Sequence, residues 1–485
     1  MVRPSLDSPV ACAHPRVSRR VALQAGAIGL LGLGHAELTA LRAATPGSPP
    51  APPRSVIFIF LSGGLSQIDS FDPKPDAPEE IRGEFKPIAT RTEGLWICDP
   101  LPRLAQVSHL YTVVRSLTHG TNDHSAGHAF MLTGRSTLPT GFDPTRPRPE
   151  DEPSIAALAN ALAPPRNHLP PVIVLPDRIV HNTGRVIPGQ FAGLLGTRHE
   201  PWFLDVSAFE ASAYGAFPDY EFDHQQRAYS PRRKQFDLSS LSVPEGFQAD
   251  RLQGRLGLLR QIDNQVQAMD RSASTASLGS YREAAASLLT EPRVRSAFDL
   301  SREPAQVLER YGNNSFGWSL LMSRRLVEAG VSLVQVNLGN NESWDTHGNA
   351  FPSLRDKLFP PTDRALAALL EDLQESGLLE STLVVMASEF GRTPRISHLP
   401  QHYKLPGRDH WGRAQSILLA GGGIPGGRIV GATDRSGGTP IAQPQTPENL
   451  AATIYQTLGI PAQTFWRDTL DRPFPVYHGT PIAVS

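Results

Sequence analysis

The run Ser55–Leu61, SVIFIFL, constrains the fold more than any other feature, because it holds an unbroken series of apolar, partly β-branched residues with no polar alternation. A strand with one face in water alternates; one like this must be buried on both faces, as in the middle of a parallel sheet covered by helices. Five further runs read as strands: Leu110–Ser116, Pro171–Pro176, Val331–Val336, Ser381–Ala387 and Ser416–Gly422. Between two of them, Leu354, Leu358, Leu366, Leu369, Leu370 and Leu373 recur at helical spacing, and Gly377 is placed to end the helix. Ser315–Gly330 is a second amphipathic helix leading into a strand. Strand, helix, strand implies a parallel crossover, hence an α/β unit with a mainly parallel sheet. From about Pro201 to Arg310 the pattern changes to helical stretches such as Arg251–Met269, without a convincing strand. That region is expected to be a helical insertion or cap.

The chain of 485 residues is long enough for a large core, and 40% hydrophobic with 19% charged residues is a globular composition. A net charge of −1 gives no reason to expect nucleic acid or an acidic membrane surface as partner. Two cysteines, Cys12 and Cys98, make neither a disulfide framework nor a zinc ribbon. Near the start, Arg19-Arg20 precedes an uncharged Gly/Ala-rich run too short to span a bilayer. This is the pattern of a twin-arginine export signal over residues 1–44, with a disordered basic tail as the plain alternative. Residues 45–54 then form a Pro-rich linker, and 55–485 form the folded domain. The twin-arginine translocase is the implied export partner and the periplasm or exterior the implied location. No transmembrane segment is expected.

Polar clusters follow the apolar runs: Ser62–Asp72, Thr118–Arg135, Trp344–Asn349, Ser388–Pro394 and Gly407–Trp411. In an open parallel sheet, ligands bind beyond the carboxyl ends of the strands. Asp345 and His347 are two apart in a loop and can point the same way; Glu389 stands just past a strand; Asp409 and His410 are adjacent; His124 and His128 share one helix face. Such oxygen and imidazole donors suit Zn²⁺, Ca²⁺, Mg²⁺ or Mn²⁺. Each has a plain alternative: Asp345 as an Asx-turn residue, the two histidines as a solvated helix face. Arg135, Arg392 and Arg408 lie in the same motifs and suit either an anionic ester or structural ion pairs.

Seven motifs in order, among them GGLSQIDSFDPKPDAPEEIRGEFKPIAT, RSLTHGTNDHSAGHAFMLTGR, WDTHGN, EFGRTP and GRDHW, resemble the bacterial domain of unknown function 1501 family, a sulfatase-like branch of the alkaline phosphatase superfamily. The resemblance implies a three-layer α/β/α sandwich with metal ligands at strand ends. It implies Asp345, His347, Glu389, Asp409, His410 and Asp69 as metal ligands, Asp69 standing in for the aspartates that usually end the first strand. AFMLTGR resembles the end of the sulfatase motif, which puts His124 at the nucleophile position and His128 at the position of its Arg. Formylglycine chemistry is therefore not available there. His124, Ser125 and His128 become the catalytic candidates, and Arg135, Arg392 and Asn122 the substrate contacts. The implied activity is metal-dependent hydrolysis of phosphate or sulfate esters, with a sulfated or phosphorylated glycan as one candidate substrate. The nucleophile is water, Ser125 or His124. The alternative is a catalytically inactive binding or assembly protein of the cell envelope on the same fold.

Overall fold

The computed structural model describes residues 54–163, 166–167, 169–181, 183–204, 296–300, 303–339 and 342–484. The export signal, nearly all of the Pro-rich linker, and most of the expected insertion, including Arg251–Met269, lie outside the described residues. At the start of that region, Trp202–Phe203 pairs as a short edge strand where only helix was expected.

The sheet strands used below are β1 Ser55–Leu61, β2 Tyr111–Leu117, β3 Val172–Leu175, β4 Trp202–Phe203, β5 Leu333–Leu338, β6 Thr382–Ser388, β7 Gln415–Ala420 and β8 Arg428–Val430. Their order across the sheet is β8-β2-β7-β6-β1-β5-β3-β4. β1 is central and fully buried, paired in parallel with β5 on one side and β6 on the other. Alternate side chains of β1 feed two cores. Ile57, Ile59 and Leu61 pack with α3 (Ser315–Ala329) and α4 (Phe359–Glu375). Val56, Phe58 and Phe60 face α1 (His124–Thr133), α2 (Ile155–Leu162) and α5 (Pro447–Thr457). The result is an α/β/α sandwich.

One departure from the sequence reading has a physical cause. The helix expected from Ser353 to Gly377 contains a widened π turn over Leu354–Leu358. Pro360 and Pro361 follow it; they carry no N–H for the carbonyls of Asp356 and Lys357, so the regular ladder cannot continue there. The mainly parallel sheet also holds one strand of the other direction. β7 runs antiparallel to both β6 and β2. Its first residues therefore lie at the edge where the parallel strands end, which brings the segment before it, Gly407–Trp411, to that edge.

At the end of β1 the chain turns through Gly63, at φ 120°, a region that L side chains rarely adopt. A Cβ there would sit 2.3 Å from the Asp345 backbone nitrogen. Gly63→Ala is expected to lower the thermal unfolding midpoint, at a cost of about 1–3 kcal/mol from backbone strain alone. An unchanged midpoint by calorimetry would mean that β1 and the loop after β5 are not in such close contact.

Candidate metal centre

The loop after β5 carries Asp345 and His347, and the segment before β7 carries His410. His347 Nε2 and His410 Nε2 lie 2.8 Å apart, and Asp345 Oδ1 is 3.1 Å from each. One face of an octahedron with ligand bonds of about 2.0–2.2 Å has edges of about 2.8–3.1 Å. The triangle of donor atoms has that size.

A fourth donor comes from α1. Asp123 caps this helix, its side chain accepting the Ala126 N–H, and sets His124 in the first turn. Gly127 lets the helix lie against Glu389, whose side chain would be 3.3 Å from a Cβ there. His124 Nδ1 donates to Glu389 Oε1 at 2.8 Å, leaving Nε2 facing Asp345 Oδ2 at 3.4 Å, buried and without a hydrogen-bond partner.

Each of these imidazoles has its other nitrogen turned to an outer acceptor. His124 uses Glu389; His410 Nδ1 donates to the Asn122 carbonyl at 2.8 Å; His347 Nδ1 faces Asp409 Oδ1 at 3.4 Å. That is how metal-binding histidines are oriented, with the free lone pair on the inner nitrogen. The carboxylates are held charged. Burial would raise the pKa of Asp345, but Arg392 at 2.6 Å and His124 outweigh it and keep the group well below the usual carboxylate range. Burial would likewise raise Glu389, but His128 and His124 hold it down. Burial opposes the charged form of His124, yet Asp345 and Glu342 outweigh burial and push its pKa well above the ordinary value. Burial pushes His410 down.

Other residues chosen from the sequence are engaged elsewhere. Asp69 is buried in a two-point ion pair with Arg408, at 2.7 and 3.0 Å, and also accepts from Ser66; its carboxylate is not free for a metal. Asp409 is exposed, its Oδ1 3.4 Å from His347 Nδ1, and it also groups with His347 and His410 as a candidate ligand. Ser125 points away from the centre and donates to the Pro144 carbonyl at 2.7 Å. His128 is fully buried, its Nδ1 donating to the His124 carbonyl and its Nε2 2.9 Å from Ser62 Oγ. Arg392 spends its guanidinium on Asp345 and on the carbonyls of Gly63, Gly64, Trp344 and Arg408. Arg135 lies beyond the far end of α1, about 15 Å along the axis from His124, beside His478 and Glu152. Asn122 positions the site rather than a substrate: its carbonyl holds His410 and its side chain accepts the Gly412 N–H.

The sequence reading passed over Glu342, His181 and Arg185. Glu342 is buried, and burial pushes its carboxyl up to about 8; it lies 3.8 Å from His124 and 3.2 Å from His181. Glu342 sits in the same loop as Asp345, so the strand-end rule covers it; His181 stands well past the end of β3, beyond the reach of that rule. Their burial and mutual approach are tertiary facts.

A family profile described as a protein of unknown function (DUF1501) matches residues 53–484. The chain belongs to the DUF1501 family. No curated protein matches it in sequence. Among solved structures, a sulfatase from Pseudoalteromonas sp. aligns at 11% identity and TM-score 0.35, covering 90% of this chain and 72% of the other. An alkaline phosphatase from the Antarctic bacterium TAB5 aligns at 11% identity and TM-score 0.34, covering 85% and 100%. A phosphonate monoester hydrolase from Silicibacter pomeroyi aligns at 13% identity and TM-score 0.31, covering 84% and 74%. Likenesses this loose carry no site residue over to this DUF1501 member, whose chemistry rests on its own geometry.

His347→Ala is expected to abolish binding of Zn²⁺ or Mn²⁺, while Asp409→Asn weakens it about 10–100-fold, as for an outer-sphere partner. Metal content and titration calorimetry of the two variants check the ranking. Equal losses would mean that Asp409 is itself a ligand.

Proposed function

We propose that this DUF1501 protein is an exported, metal-dependent hydrolase of phosphate or sulfate esters. The observation that carries the metal is the convergence of three imidazole Nε2 atoms on Asp345, with the Nδ1 of each facing an outer oxygen acceptor. Without a cation, a proton on one Nε2 bridges His347 and His410 at 2.8 Å; a bound cation would take its place. His124, Asp345, His347 and His410 would hold the ion. Three imidazoles and one carboxylate favour Zn²⁺ or Mn²⁺ over Ca²⁺ and Mg²⁺, which prefer oxygen shells. Bound there, the ion would supply Lewis acidity to an ester oxygen and to a water. The chain's own residues do the rest. Glu389 and Asp409 orient His124 and His347; Arg392 keeps Asp345 ionised; Glu389 in turn accepts the Gly63 N–H at 2.8 Å. The orientation of Ser125 favours water over that hydroxyl as nucleophile.

Ester hydrolysis is supported by the position of the centre, at the carboxyl ends of a mainly parallel sheet, and by the sulfatase-like motifs. The engagement of Arg135, Arg392 and Arg408 elsewhere favours the second reading, a metal-binding envelope protein without turnover. Aryl phosphate and aryl sulfate turnover decides between them. The purified chain is expected to hold a divalent ion, to lose both ion and turnover in His410→Ala, and to keep turnover in Ser125→Ala. Metal without turnover of either ester class would leave the binding-protein reading.

Against burial, Asp345 and Glu342 raise the His124 pKa, so this ring holds its second proton more tightly than a free imidazole does. Metal binding at pH 7 is then expected to release a proton, and affinity is expected to rise with pH. Calorimetry in buffers of different ionisation enthalpy reads this directly; binding without proton release would remove His124 from the shell. Export rests on Arg19-Arg20: changing both to Lys is expected to leave precursor in the cytoplasm, and normal export of that variant would point to another route.

A further inference from the structure

The turn closed by the Val180–Val186 bridge follows β3 and meets Glu342, which lies 3.8 Å from His124. The His181 N–H donates to the Arg185 carbonyl at 2.8 Å, so the two side chains leave one tight turn. His181 Nε2 lies 3.2 Å from Glu342 Oε2, and the positive charge of Arg185 bears on both His181 and Glu342. Arg185 Nε is shielded from solvent and has no hydrogen-bond partner. Buried guanidinium N–H groups are ordinarily satisfied. The arginines of the strand-end motifs offer no alternative: Arg392 and Arg408 are saturated by carbonyls and by Asp345 and Asp69, and Arg135 stands at the far end of α1.

We propose that Arg185, with His181 beside it, forms an oxyanion-binding corner of this site, taking the sulfate or phosphate group of the substrate. This rests on the metal-centre reading for its role in turnover, but not for the binding itself. A guanidinium presents a planar fork of N–H donors that matches two oxygens of a tetrahedral anion, and its charge stays on at any physiological pH. Here Nε is desolvated and unmet while the side chain as a whole is only partly buried, so an anion that engages the fork displaces no protein partner of Nε. The Glu342 carboxyl nearby is turned toward the imidazoles of His181 and His124, 3.2 and 3.8 Å away. Arg185 is on this account a substrate-binding residue, and His181 positions the turn that carries it.

Titration calorimetry of the full chain with inorganic phosphate and with inorganic sulfate tests this, using the protein as purified and after metal removal. Arg185→Ala is expected to raise the dissociation constant of the preferred anion about tenfold or more, the loss of one charge-assisted contact. Arg185→Lys should restore part of it, because the charge returns without the fork. Metal content should stay as in the unaltered chain, and KM for the aryl ester should rise. Whichever anion binds more tightly names the ester class. Unchanged affinity in Arg185→Ala, or no binding of either anion by the unaltered chain, overturns the proposal. A chain that is purified without metal, takes none up on titration and still binds the anion through Arg185 would overturn the metal centre and keep the corner; anion affinity and KM untouched by Arg185→Ala in a chain that holds metal would do the reverse.

Discussion

The ion pair between Arg392 and Asp345 is the interaction on which the rest of the site depends. Arg392 is fully buried, and a buried charge is tolerated only when it is paired and its donors are filled. It meets that condition by gathering groups from three strand ends. The carbonyls of Gly63 and Gly64 come from the end of β1, Trp344 and Asp345 from the loop after β5, and the Arg408 carbonyl from the segment before β7. Removing the carboxylate would leave an uncompensated guanidinium in the core. Removing the guanidinium would release the loops and take away the charge that does most to hold the Asp345 pKa down. The same contact therefore holds the fold at its functional edge and keeps the central carboxylate ionised.

Around this pair the imidazoles are arranged by what lies behind them. Glu389, Asp409 and the Asn122 carbonyl each face one Nδ1, so three inner nitrogens are turned toward Asp345. The outer groups come from the end of β6, the segment before β7 and the loop after β2. A second ion pair, Asp69 with Arg408, lies one layer away and braces the chain just before His410. Two residues that look alike in sequence, Asp69 and Asp345, thus have different parts: one stiffens the support, the other stands at the centre.

Much of the architecture was legible because burial on both faces leaves a mark on composition. SVIFIFL and STLVVMA read as interior strands, and the leucine period before Gly377 reads as a packed helix. The rule that ligands gather at carboxyl ends of parallel strands then pointed to Asp345, His347, Glu389 and His410. It could not separate inner from outer groups. Nothing in the residue types told Asp409, which faces His347 from outside, from Asp345; and Arg392, Arg408 and Arg135 read equally well as anion ligands or as ion pairs. His181 and Arg185 escaped because they stand six or more residues past the β3 strand, in a turn whose return to the centre depends on long-range packing.

By itself the sequence determined an α/β chain with a two-sided apolar sheet, polar loops rich in His, Asp and Glu after its strands, and DUF1501 motifs in order. These follow from local composition and spacing, which hydrophobic burial and helix periodicity translate directly into elements. The tertiary structure decided the rest. The antiparallel run of β7 brought His410 to the edge where the parallel strands end, Gly63 allowed β1 to touch the Asp345 loop, and Glu389 reached His124 through the gap at Gly127. Contacts of that kind join residues up to several hundred positions apart, and their distances and hydrogen-bond directions are set by packing rather than by any local preference of the chain.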